Sequence, residues 1–188
     1  MRKSIFAAAI LLSVLLAAPT FAAPNLVING GFETGDFTGW DQGGNTGFSG
    51  VDGDANSGDY AAYFGPVGSL GYISQVLLTM PGTTYAVTFY LANDGGTANA
   101  FTADFGGTNL LTLADAPGFG YTRYSYNVQA SDPKTTLSFG FRQDPSYLHL
   151  DDVSVQEATA TPEPATFALF GAAMVCFFIV RMIARSAH

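Results

Sequence analysis

The feature that most restricts how this chain can fold is a two-residue alternation of apolar and mixed side chains that recurs through its middle. Tyr85, Val87, Phe89 and Leu91 alternate with Ala86, Thr88, Tyr90 and Ala92; Tyr124, Tyr126 and Val128 repeat the pattern, as do Leu137, Phe139 and Phe141. A period of two puts one set of side chains on one side of a strand, so each segment has a single strongly apolar face to bury. The candidate strands are 25–29, 60–64, 71–78, 84–92, 101–105, 122–128, 135–142 and 148–156, with no convincing amphipathic helix among them. Turn chemistry separates them: Pro81-Gly82, Asn93-Asp94-Gly95-Gly96 and Asp132-Pro133. Eight one-faced strands satisfy one another as two antiparallel sheets packed face to face. The expected fold is therefore all-β, an antiparallel jelly-roll β-sandwich of about eight strands.

The two ends of the chain read differently. Arg2 and Lys3 precede an apolar stretch from Ile5 to Leu16 and then small residues, the order of a secretory signal peptide, with cleavage expected after Ala22. An uncleaved N-terminal anchor is the alternative. At the other end, residues 157–164 are a linker of Ala, Thr, Pro and Glu, and an uncharged run from Phe167 to Val180 leads to Arg181 and Arg185. At about 1.5 Å per residue, residues 165–180 cover roughly 24 Å of a roughly 30 Å hydrocarbon core, so spanning draws in residues up to 185 with Arg181 snorkelling. The expected plan is a signal helix at 1–22, one sandwich domain at 23–156, the linker, and a single transmembrane helix at 165–185 that holds the protein to the membrane.

Between these ends the chain is acidic. Residues 23–160 hold three basic residues, Arg123, Lys134 and Arg142, against fourteen acids, a net charge of −11. That balance repels phosphate backbones and argues against nucleic acid as a partner, while favouring divalent cations. The sole cysteine, Cys176, lies in the apolar tail, so the domain is held by its core or by an ion and not by a disulfide.

Several short motifs carry a resemblance. Asn25-Leu26-Val27-Ile28-Asn29-Gly30-Gly31-Phe32-Glu33, Gly39-Trp40, Ser57-Gly58-Asp59-Tyr60, Tyr72-Ile73-Ser74-Gln75-Val76 and Leu148-His149-Leu150-Asp151-Asp152-Val153 together resemble jelly-roll carbohydrate-binding modules and galactose-binding-like domains. The tail motif Pro162-Glu163-Pro164, followed by the apolar run and arginines, resembles the PEP-CTERM sorting signal, a tail type also described as an ice-binding-protein C-terminal domain, although it carries no ice-binding surface. That resemblance implies an exosortase-type processing enzyme as partner. It also implies an exported protein of a Gram-negative bacterium, held at the inner membrane before processing and at the cell surface or in the extracellular matrix afterwards. The basic end is thinner than usual for such a tail, since Met182, Ile183 and Ala184 separate its two arginines.

The domain resemblance implies a structural calcium joining the first strand's end to the last strand, with Glu33 and Asp151 in the matching positions. A carboxylate from the loop Asp52–Ser57, Asp54 or its neighbour Asp52, and carbonyls near Gly31 and Gly58 complete an all-oxygen set of the kind calcium prefers. Such an ion stabilises a disulfide-free domain by binding only its folded form. The alternative is that these acids are solvated turn residues. For a polysaccharide, the expected groove is the less apolar strand face bearing Tyr90, Arg123 and Arg142, joined by Tyr147 and His149, unless these are ordinary exposed sheet residues. Trp40 is expected to close the core. Nothing marks a catalytic centre: there is no nucleophile elbow, zinc motif or Cys-His pairing, and no pair among the acids is singled out for glycoside hydrolysis. The expected function is non-catalytic binding of exopolysaccharide, or an adhesive matrix role without a sugar site.

Overall fold

The computed structural model describes residues 23–158. The expected signal segment, most of the expected linker, the Pro162-Glu163-Pro164 motif and the expected C-terminal helix lie outside the described residues. Among the described residues every regular element is a strand: β1 (Asp41–Gly44), β2 (Ser49–Asp52), β3 (Ala61–Phe64), β4 (Gly71–Leu78), β5 (Thr84–Asn93), β6 (Asn99–Phe105), β7 (Thr108–Ala114), β8 (Phe119–Gln129), β9 (Lys134–Gln143) and β10 (Leu148–Glu157). They form two five-stranded antiparallel sheets, one ordered β1-β4-β9-β6-β7 and the other β2-β3-β10-β5-β8. We call them the first and second sheet.

The sandwich has ten strands where the sequence suggests eight, and one expected strand is absent. Residues 25–29 run alongside β10, where Leu26 N donates to the Val155 carbonyl at 2.9 Å, but they form no continuous ladder, because side chains take up the neighbouring backbone groups. Asn25 Oδ1 accepts from Val155 N at 2.9 Å, and Gln75 both donates to the Ile28 carbonyl at 2.7 Å and accepts from Ile28 N at 3.1 Å. A close approach fixes this path: a Cβ on Gly30 would collide with the Val153 carbonyl. β1, β2 and β7 are additional; the first two are short and Gly-rich, and β7 is an edge strand, so none has the one-faced apolar pattern that marks the rest.

The alternation does what its period requires. Tyr85, Val87, Phe89 and Leu91 from β5 meet Leu137, Phe139 and Phe141 from β9 between the sheets, all but fully buried. Phe64 stacks on Phe141 with centroids 3.7 Å apart, and Phe89 meets Phe139 edge to face at 5.2 Å. Trp40 closes the core as expected: it is buried, stacks on Phe32 at 5.7 Å, and donates from Nε1 to the Asn29 carbonyl at 3.1 Å.

Strand register defines two ends. At the upper end Leu148 sits opposite both Phe64 and Asn93, and Asn99 opposite Gln143. At the lower end Leu78 sits opposite Lys134 and Glu157 opposite Tyr85, and the described chain leaves through Ala158, whose N donates to the Thr84 carbonyl at 2.9 Å.

Candidate functional site

Three groupings of functional side chains emerge. The first surrounds Gly31. A turn with Asn29 and Phe32 at positive φ (52° and 56°) is pinned by the wholly buried Phe32 ring, which fixes Gly31 and Glu33 on either side of it. Asp151, fully buried on β10, accepts from Asn56 N at 2.8 Å and Ser57 N at 3.1 Å on Oδ2, and from Asp152 N at 2.7 Å on Oδ1. A bulge between Asp151 and Ser154, with Asp152 at φ 50°, turns the Asp152 carboxylate onto the same loop, where it accepts from Asn56 Nδ2 at 2.8 Å and Ser57 Oγ at 2.7 Å. Glu33 accepts from Asp59 N at 3.0 Å and Tyr60 N at 3.2 Å. Gly58, at φ +71°, is a position where a Cβ would collide with Glu33 Oε1, so glycine is what admits the carboxylate.

Burial pushes the Asp151 carboxyl up to about 6, with the Asp152 charge adding to the rise and the N–H donors of Ser57, Asp152 and Asn56 opposing it. The structure thus brings Gly31, Glu33 and Asp151 together. A Cβ on Gly31 would lie 3.7 Å from Asp151 Oδ1 and 3.8 Å from Asp152 Oδ1. The Asp54 carbonyl accepts from Tyr121 Oη at 2.6 Å, and the second aspartate carboxylate beside Gly31 is that of Asp152. Among the described residues no three His, Cys, Asp or Glu side chains converge on a common point. The donors here are nonetheless all hard oxygens around a buried acid that lacks a counter-charge. Oxygen donors of this type are the ones calcium prefers, and Glu33 and Asp151 are the residues that would hold it.

The second grouping is the expected groove, and the structure divides it. Tyr90 and Arg123 face each other in register on β5 and β8, on the outer side of the second sheet. Arg142 belongs to β9 in the first sheet, and the outer sides of two packed sheets point in opposite directions, so it cannot share a face with Tyr90. Its guanidinium forks onto Asp144 at 2.8 and 2.7 Å. Tyr147 precedes β10 at the upper end, edge-on to Tyr63 with centroids 5.4 Å apart. His149 is buried between Tyr121 and Tyr147 (6.4 and 6.5 Å), with Nε2 3.4 Å from Asp94 Oδ2.

The third grouping was not expected from the sequence. At the upper end a recess of about 180 Å³ is walled by Phe48, Gly65, Val67, Gln143, Asp144, Pro145, Ser146 and Tyr147. Phe48 and Val67 are exposed at 69% and 48%, and Tyr147 lies against Gly65, where a Cβ would come within 2.9 Å of its ring. Gln143 is wholly buried. Its Nε2 donates to Asn93 Oδ1 at 2.7 Å and to the Gly95 carbonyl at 3.2 Å, which fixes the amide orientation and leaves Oε1 as an acceptor with no donor. Asp144 is held down to about 2 by the Arg142 fork and by Gly68 N, so it is an anion at neutral pH. Exposed aromatic and aliphatic faces beside a carboxylate suit a polyhydroxylated ring, with a hydroxyl donating to Asp144. Of the five residues expected in the sheet-face groove, Tyr147 lines this recess, and Arg142 bonds to Asp144 in its wall.

Comparisons with known proteins agree with this architecture. Residues 160–183 match the PEP-CTERM protein-sorting motif. No curated protein matches the chain in sequence. Among solved structures, the chain is similar to TmCBM61, determined in complex with β-1,4-galactotriose, with a TM-score of 0.60 at 19% identity over 72% of this chain and 100% of that one. It is similar to the CBM22-1 xylan-binding domain of Paenibacillus barcinonensis Xyn10C, with a TM-score of 0.53 at 16% identity over 76% and 100%. It also resembles the enzymatically active domain of Bacteriophage CBA120 tailspike protein 4, with a TM-score of 0.57 at 12% identity, over 71% of this chain but 21% of that one. The tail carries a sorting motif, and the described residues have the fold of carbohydrate-binding modules.

Proposed function

We propose that this chain is an exported, non-catalytic module that holds polysaccharide at the surface or in the matrix of a Gram-negative cell. In this reading an exosortase-type enzyme processes the PEP-CTERM tail, and residues 165–185 tether the protein to the inner membrane beforehand. The observation that carries the sugar reading is the upper recess, where the exposed faces of Phe48, Val67 and Tyr147 lie beside Asp144. The named ligands of two structural relatives, β-1,4-galactotriose and xylan, support β-linked polysaccharides as the first class to try. Glu33 and Asp151, with carbonyls of the Gly31 turn, would hold a calcium ion that clips the first segment to β10 and supplies rigidity rather than chemistry.

Retention of the exported protein on immobilised host exopolysaccharide, β-1,4-galactan and xylan tests the reading. Binding to at least one, lost on Phe48→Ala and Tyr147→Ala, is the expected result. No retention on any of them favours the adhesive role without a sugar site, and release of soluble sugar would make the protein an enzyme.

A further inference from the structure

The exposed large apolar side chains of the described residues include a stripe with no place in the recess. Val76, Leu78 and Met80 are 59%, 73% and 57% exposed, two residues apart on the solvent side of β4 and the turn that follows. β1 pairs with β4 only as far as Ser74, so this stretch also has a strand neighbour on one side alone. Three adjacent aliphatic side chains left in water at a sheet edge make a contiguous apolar stripe of the kind that interaction surfaces use.

Their position identifies what covers them. The Met80 turn, the loop before β9 and the exit of the chain share the lower end: Thr83 N donates to the Met80 carbonyl at 3.1 Å, Thr79 N to Pro133 O at 3.1 Å, and Ala158 N to Thr84 O at 2.9 Å. From Ala158 the sequence runs seven residues to Ala165, where the uncharged stretch begins. Seven residues reach at most about 25 Å when fully extended. With residues 165–185 in a bilayer, the lower end is thus kept within reach of lipid headgroups, at a high effective concentration. The charge there also selects against a purely electrostatic contact. Lys134 stands opposite Leu78, but Asp132 and Glu157 lie at the same end.

We propose that Val76, Leu78 and Met80 form a lipid-contacting foot, on which the sandwich rests at the membrane surface while its tail is inserted. The proposal rests on the tether reading above. The foot adds shallow apolar insertion to the tether and sets the orientation, with the upper recess directed away from the bilayer.

The test uses the full chain with Cys176→Ser, carrying an environment-sensitive fluorophore on Leu78→Cys or, at the upper end, on Thr46→Cys, in phosphatidylcholine vesicles. Both positions are exposed, and unchanged melting temperatures verify the fold. The expected result is that the protein floats with the vesicles, the position-78 probe shifts to the blue and is quenched by bromine-bearing lipid, and the position-46 probe is quenched only by aqueous iodide. A floating protein in which both probes behave as water-exposed overturns the foot and leaves the tether standing. A protein that does not float overturns both. Self-quenching at position 78 that grows with the protein-to-lipid ratio assigns the stripe to a second copy of the chain and also overturns the proposal.

Discussion

Gln143 Nε2 donates to Asn93 Oδ1 at 2.7 Å, and this one bond joins the last residue of β9 in the first sheet to the last residue of β5 in the second. Both residues are nearly or wholly buried, and Asn93 in turn donates to the Ala116 and Pro117 carbonyls at 3.2 and 3.3 Å. The pair ties the two sheets together beside the recess. Removing Asn93 leaves buried donors without partners, so Asn93→Ala should destabilise the domain by about 1–3 kcal/mol, measured by urea unfolding of the exported protein.

Phe48 is mostly solvent-exposed, so Phe48→Ala should change stability by less than about 0.5 kcal/mol. If it forms one wall of a sugar site, the same substitution should weaken retention on polysaccharide about tenfold, the equivalent of roughly 1.4 kcal/mol. Affinity electrophoresis paired with a melting curve separates these two effects.

The division of the expected groove gives a contrast. Tyr90→Ala and Arg123→Ala, on the outer side of the second sheet, should leave retention unchanged. Arg142→Ala releases Asp144 from its fork and should lower retention, because the carboxylate at the recess loses its orientation. Retention lost with Tyr90→Ala and Arg123→Ala but kept with Arg142→Ala in the same electrophoresis would move the site to the outer face of the second sheet.

Asp151 has a folded-state carboxyl raised to about 6, so between the ordinary carboxylate range and that value the folded state binds more protons than the unfolded one. Stability from this group is therefore greatest at low pH and declines as pH rises through about 6. A cation beside Glu33 and Asp151 would reverse the sign by favouring the charged form. Melting with chelator and with calcium, below pH 6 and at neutrality, should show calcium raising the melting temperature more at neutrality; no effect at either pH removes the ion from the account.

Phe139 touches Trp40, Phe89 and Phe101 at centroid distances of 6.1, 5.2 and 6.1 Å. Phe139→Ala should cost about 3–5 kcal/mol, read from the denaturant midpoint.

The strands that form the core were legible because their alternation is strict and their inward residues are large. The same alternation held a further message. Continuing the inward phase of Leu137, Phe139 and Phe141 by two lands on Gln143, and continuing Tyr85 to Leu91 lands on Asn93, so each core strand ends on a polar residue in an apolar phase. Those two meet, and reading Asn93 only as the start of a turn concealed the recess. The grouping of Arg142 with Tyr90 failed for a different reason: alternation gives the face of a strand and is silent on which sheet the strand joins. Asp152 was hidden by the bulge, which places consecutive carboxylates on one loop where a regular strand would send them to opposite sides. Glu33 and Asp151, by contrast, were located by motif resemblance and stand beside the same glycine.

Along β10 the chain passes from Leu148, beside the recess, to Glu157, one residue before Ala158. Ten residues of strand place roughly 30 Å of hydrogen-bonded backbone between those points. Each side of that strand is clamped, by β5 along most of its length and by β3 at its start. A cut made beyond Ala158 leaves every ladder bond of β10 in place, so retention on polysaccharide should be the same before and after release from a membrane.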